Sequence, residues 1–129
     1  MAEKKKPLVL VVEDDMNSQM LMNYYLRDNY EVEFSVSVTE AMVKLKSQHV
    51  DIILLDLSLK AGEDGLDLAR YIRKDGKWSH ISIIATTAHA FTADRDNCIT
   101  AGCDDYLSKP IKKKDLLDMM SKYFSQKGA

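Results

Sequence analysis

An α/β sandwich of the doubly wound kind, with a parallel sheet covered by helices on both faces, is the fold this sequence predicts. Five short apolar runs alternate with five helical patterns, the order of repeated strand–helix units. The first run, Leu8-Val9-Leu10-Val11-Val12, is apolar at consecutive positions, as a strand buried on both faces must be. Acidic, hydroxyl and lysine side chains collect at the ends of the runs, where such sheets form their ligand crevice. The 129 residues suit one domain, 1–129, around a single core.

Asp15 or a neighbour can cap the first helix, in which Met20, Leu21, Tyr24 and Tyr25 recur at helical spacing. Asn29 offers that helix a left-handed stop. Residues 32–36 alternate polar and apolar like a more exposed strand. Ser37 with Glu40 fits a capping box, opening a second helix with Ala41 and Leu45 inward. Residues 51–55 form the third strand; Gly62 and Gly65 punctuate the next loop, and Leu66, Leu68, Ala69 and Ile72 mark a helix. The fourth strand covers residues 81–86, and Thr92 can cap a helix that stops at Gly102. Tyr106 and Leu107 sit in a short fifth strand ended by Ser108-Lys109-Pro110. Leu116, Leu117, Met120, Tyr123 and Phe124 then give a final amphipathic helix. Right-handed crossovers complete the sandwich.

Hydrophobic residues at 46% and charged residues at 29% are an ordinary globular balance, which argues against disorder. A net charge of −2 supplies no overall positive field for nucleic acid, and Lys4-Lys5-Lys6 reads as a solvated leader. No segment approaches the roughly 18 consecutive apolar residues of a membrane span, and the N-terminus lacks the apolar stretch of a secretory signal. Cys98 and Cys103 have no metal-ligand pattern around them. They read as reduced thiols, with a redox pair as the alternative, so the expected compartment is the cytoplasm.

Glu13-Asp14-Asp15 ends the first run and Asp56 the third, while Thr87 and Lys109 follow the fourth and fifth. If the two acidic ends are neighbours, several carboxylates share one small site. At ~4 Å and an effective dielectric near 20, each like-charge pair costs on the order of 4 kcal/mol. Such a site calls for cations, and oxygen-only ligands favour a hard one such as Mg²⁺. A carboxylate held between that ion and an ammonium group is placed to accept a phosphoryl group.

Taken in order, Glu13-Asp14, Asp56 within Ile53-Leu54-Leu55-Asp56-Leu57, Thr87 before Ala88, and Lys109-Pro110 resemble the motifs of response-regulator receiver domains. These are the phosphoacceptor modules of two-component signalling, and the resemblance runs from Leu8 to Phe124. Residues 94–96 and 101–110 are similar to receivers attached to hybrid histidine kinases. The resemblance implies a flavodoxin-like (βα)5 fold with sheet order 2-1-3-4-5. It implies that Asp56 is the phosphoacceptor and that Asp14, Asp56 and the Ser58 backbone carbonyl hold Mg²⁺, or Mn²⁺ in its place. Glu13 would help directly or through water. Lys109 would pair with the acceptor carboxylate, Thr87 would hydrogen-bond the phosphoryl group, and Tyr106 would change rotamer with it. Ser58 and His89 would tune hydrolysis. The implied donor is a histidine kinase or histidine phosphotransfer protein, and the output is a downstream protein target reached by a monomer or a weak, phosphorylation-promoted dimer. The chain would be a phosphoacceptor and not a turnover enzyme.

With Met1 at one end and the fifth helix at the other, the chain is expected to carry no output domain; an excised receiver is the alternative. One departure stands out: Lys60 occupies a position where receivers commonly have proline, in a loop that looks one residue longer than usual. Two rivals remain. A pseudo-receiver would keep the fold as a binding module, and an aspartyl-nucleophile phosphatase would need a second Asp where Ser58 stands. Among the other polar and aromatic residues, Asp15 reads as a helix cap, and Asp64 and Asp67 as solvated acids. Trp78 reads as a lid over the sheet edge or a partner hot spot, and the methionines as core filler.

Overall fold

The computed structural model describes residues 6–59, 64–74, 76–88 and 92–127. Its strands are β1 (Leu8–Val12), β2 (Glu31–Ser35), β3 (Ile52–Asp56), β4 (Ser82–Thr87) and β5 (Asp105–Ser108). Between and after them come α1 (Met16–Leu26), α2 (Val38–Ser47), α3 (Leu66–Lys74), α4 (Thr92–Ala101) and α5 (Lys113–Lys127). The sheet is parallel throughout, in the order β2-β1-β3-β4-β5. The winding reverses at β1, so a crevice opens beyond the C-terminal ends of β1 and β3.

Alternation along the strands divides the core in two. Leu10, Val12, Ile53, Leu55, Ile83 and Ala85 pack with residues of α2, α3 and α4, whereas Val9, Val11, Ile52, Leu54 and Ile84 pack with α1 and α5. β3 and β4 are buried along their whole length, matching the apolar stretches 52–55 and 83–85 at their centres. β2 is an edge strand and largely half-buried, matching its alternating sequence.

The caps follow local chemistry. The Asp15 carboxylate accepts from the Ser18 backbone N–H at 2.9 Å, and the Ser37 hydroxyl accepts from Glu40 N–H at 3.1 Å. Gly102 has φ +114°, and the Cys103 N–H reaches back to the Cys98 carbonyl at 2.9 Å, the paired turn that ends a helix on a glycine. A Cβ at Gly102 would come within 2.4 Å of Arg73 Cγ. Arg73 crosses that glycine to bind its carbonyl and the Asp104 carboxylate.

Four expectations need correction. Asn29 is not left-handed: no non-glycine described residue has positive φ, and α1 ends through ordinary right-handed turns at Arg27 and Leu26. The inward side of α1 is Met22 and Leu26, one turn apart, while Met16, Met20 and Tyr24 are 73%, 66% and 57% exposed. Apolar residues occur nearly all round this helix, so spacing could not select the buried side, and not every methionine is core filler. Trp78 neither covers a sheet edge nor offers a partner hot spot. It is buried in the core against Tyr71, with ring centroids 5.5 Å apart, because a short 3-10 turn (Gly76–Trp78) folds it under β4. The strand ends also shift by a residue, so Asp56 and Thr87 close β3 and β4 instead of following them. The side chain of Thr92 lies outside the described residues, although α4 begins there.

Among the described residues no helix is long and apolar enough to cross a membrane. Cys98 and Cys103 are both buried. Burial and the neighbouring Cys98 push the Cys103 thiol up to about 12, which keeps it protonated and unreactive.

Candidate functional site

The C-terminal rim of the sheet brings Glu13, Asp14 and Asp56 together, each with a carboxylate oxygen within 4.8 Å of the others. β1 pairs directly with β3, in a register that sets Val12 beside Leu55, so the residues just past both strands meet. Glu13 and Asp56 are buried, and Asp14 is half-buried. The Asp15 side chain serves as the α1 cap, as expected, and its N–H donates to Glu13 Oε2 at 3.2 Å.

Lys109 completes the cluster. It follows β5, two strands from β3, yet its Nζ lies 3.2 Å from both Asp56 Oδ1 and Glu13 Oε1. Its backbone N–H donates to the Thr87 carbonyl at 2.7 Å, and the Lys109–Pro110 peptide is cis. Burial works against the charge of Lys109, but the Asp56 and Glu13 carboxylates outweigh it and raise its pKa. Burial, then a hydrogen bond with Asp56, raises the pKa of Glu13. Burial is thus the main reason that the Glu13 carboxyl is reluctant to ionise, with the nearby Asp56 adding to it.

Asp56 is also held by backbone: the Ser58 N–H donates to its Oδ1 at 2.9 Å. Thr87 is buried at the end of β4, where Asp56 pairs with Thr86. Tyr106 pairs with Ala85, and Thr87 lies two residues further along the same face. Tyr106 is half-buried against the core on the α2–α4 side. His89, Lys60 and the loop positions 61–63 lie outside the described residues.

Two contributors escaped the sequence reading. Gln19 Nε2 donates to the Glu13 carbonyl at 2.5 Å, fixing the acidic turn from within α1; no sequence signal marks it. Gly65 approaches the end of β3 so closely that a Cβ would lie 2.7 Å from the Asp56 carbonyl oxygen. Its only signal was a glycine in a loop. Beside the acids, an apolar cleft lined by Val11, Leu21, Met22, Leu54, Pro110 and Ile111 opens between α1 and the turn after β5.

The donor set is all oxygen, three carboxylates around one point, which fits a hard divalent cation. Fully ionised, the acids exceed the single charge that Lys109 supplies, so a cation also fits the charge balance.

Comparison with known proteins agrees with this layout. Residues 9–121 match the response regulator receiver domain family. Hybrid signal transduction histidine kinase L of Dictyostelium discoideum is 36% identical over 122 residues, covering 89% of this chain but 7% of that protein. The chain thus spans a small part of that relative. The polar-differentiation response regulator DivK of Brucella ovis is 28% identical over 118 residues, covering 92% of this chain and 95% of that one. The receiver domain of sensor histidine kinase PA1611 from Pseudomonas aeruginosa superimposes with a TM-score of 0.83 at 33% identity, covering 96% of this chain and 99% of that chain. That structure has a magnesium ion coordinated in its active-site cleft.

Proposed function

Because this chain belongs to the response regulator receiver domain family of two-component signalling, we propose that Asp56 accepts a phosphoryl group from a phosphohistidine and that the change switches a protein-binding face. The observation that carries this reading is Asp56 itself: a buried carboxylate at a strand end, 3.2 Å from the Lys109 ammonium and grouped with Glu13 and Asp14.

The chain's own groups divide the work. An Asp56 oxygen forms the new P–O bond as the P–N bond to the donor imidazole breaks. The Ser58 N–H, already on Oδ1, keeps the carboxylate aimed. Lys109 pairs with Asp56 before transfer and with a phosphoryl oxygen after it. Asp14, Asp56 and the Ser58 carbonyl would hold Mg²⁺, or Mn²⁺ in its place, with Glu13 helping directly or through water. When bound, the ion neutralises charge on the acids and on the transferring group. The Thr87 hydroxyl binds a phosphoryl oxygen, and Tyr106 follows on the same face of the sheet. The donor is a histidine kinase or phosphotransfer protein and the readout is a downstream protein. Asp56 is consumed and regenerated, so the chain is an acceptor and not a turnover enzyme.

Incubation with acetyl phosphate and Mg²⁺ followed by intact-mass measurement tests this. One phosphoryl adduct is expected on the wild type and none on Asp56→Asn. An equal adduct on both, or none on either, defeats the assignment.

A further inference from the structure

Arg95, on α4, places its guanidinium carbon 5.7 Å from the centre of the Tyr106 ring. The two side chains line one groove over β5, shared with Asp105, Lys112 and Asp115. Arg70 and Arg73 each pair with carboxylates, whereas Arg95 has no ion pair among the described residues. The carboxylate beside it is already engaged. Asp105 accepts from the Tyr106 N–H and the Tyr123 hydroxyl, and it pairs with Lys122. Among the described residues the cation's partner is therefore the face of an aromatic ring, which attracts it through the ring quadrupole. Tyr106 thus has core on one side and Arg95 in the groove.

We propose that Arg95 is a positioning residue for the switch. It holds the Tyr106 ring in the groove of the unphosphorylated protein, and the ring must leave it to follow Thr87. This rests on the reading of Thr87 and Tyr106 as the moving pair. Arg95 then favours the resting state without touching the phosphoryl group or the metal. An exposed cation–ring contact shifts such an equilibrium about two- to fivefold. A ligand of the active state tightens by that factor when the contact is lost.

The test uses the full chain labelled with 3-fluorotyrosine, the Tyr106 signal being assigned by its loss in Tyr106→Phe. Beryllofluoride with saturating Mg²⁺ serves as the phosphoryl mimic, and both the fluorine shift and the affinity are read. In the wild type the Tyr106 signal is expected to move on binding. In Arg95→Gln the unliganded signal should move part-way toward the bound position, with affinity about two- to fivefold tighter. Arg95→Lys, which keeps a cation, should remain near the wild type. In a Tyr106→Leu background Arg95→Gln should have no effect, since a leucine offers no ring. Unchanged or weaker affinity in Arg95→Gln, or an equal gain in the Tyr106→Leu background, overturns the role of Arg95 alone. A wild-type Tyr106 signal that stays put while beryllofluoride binds overturns the Tyr106 switch and the Arg95 inference with it.

Discussion

Replacing Asp14 by Asn should stabilise the metal-free protein. Its carboxylate has oxygens of Glu13 and Asp56 within 4.8 Å, and both neighbours are buried. At that separation a like-charge pair costs about 3.5 kcal/mol at an effective dielectric near 20 and ~0.9 kcal/mol in bulk water. Asp14 is half-buried, so screening takes its two pairs toward the lower figure. Glu13, with its raised pKa, also carries less than a full charge over part of the pH range. Together these leave a gain of about 1–2 kcal/mol for Asp14→Asn, since the unfolded chain separates the acids. The Lys109 contacts to Asp56 and Glu13 stay in place. Urea denaturation in EDTA should show this gain, and thermal unfolding a melting point roughly 4–7 °C higher for a domain of this size. Saturating Mg²⁺ should narrow or reverse the gap, because wild type gains about 1.4 kcal/mol at ten times its dissociation constant and the variant has lost a ligand. A variant less stable than wild type in EDTA, or an identical gap with and without Mg²⁺, would refute the crowded-anion argument.

Glu13 makes the metal-free protein pH-sensitive. Its folded pKa is raised by burial and by Asp56, so its contribution is fully present below the unfolded value of 4.5 and is lost as pH rises through the folded value. The urea-derived stability in EDTA should fall with pH across that window in wild type, and Glu13→Gln should remove that part of the slope. Mg²⁺ affinity should rise over the same window, because the ion binds the ionised carboxylate. Gly65→Ala drives a Cβ to 2.7 Å from the Asp56 carbonyl oxygen. It should cost about 1–3 kcal/mol in thermal denaturation and slow acetyl phosphate labelling by moving the acceptor. Ser35 is fully buried and its hydroxyl has no hydrogen-bond partner among the described residues. Ser35→Ala should therefore stabilise the protein by about 1 kcal/mol in urea, and a loss of stability would reveal a bridging water.

Most of the fold and the heart of the site were legible because they depend on short-range chemistry added along the chain. Unbroken apolar runs can only be buried parallel strands here. With the strands parallel, Glu13, Asp14, Asp56 and Lys109 fall on one rim, and the strand order that the resemblance implies makes them neighbours, although 96 positions separate Glu13 from Lys109. What stayed hidden depends on side-chain direction and on close approach. The helix spacing of α1 allowed several inward faces, and only packing against α5 and the sheet selected Met22 and Leu26. Gly65 reads like any loop glycine in the sequence, and only the fold sets the Asp56 carbonyl oxygen 2.7 Å from where its Cβ would stand. Arg95 stood out only as part of residues 94–96, and its contact with Tyr106 appears only where α4 packs over β5. The residues proposed for transfer lie at strand ends, which a strand order can gather. Those proposed for its regulation have partners on a neighbouring helix, where the helical period leaves more than one face to choose from.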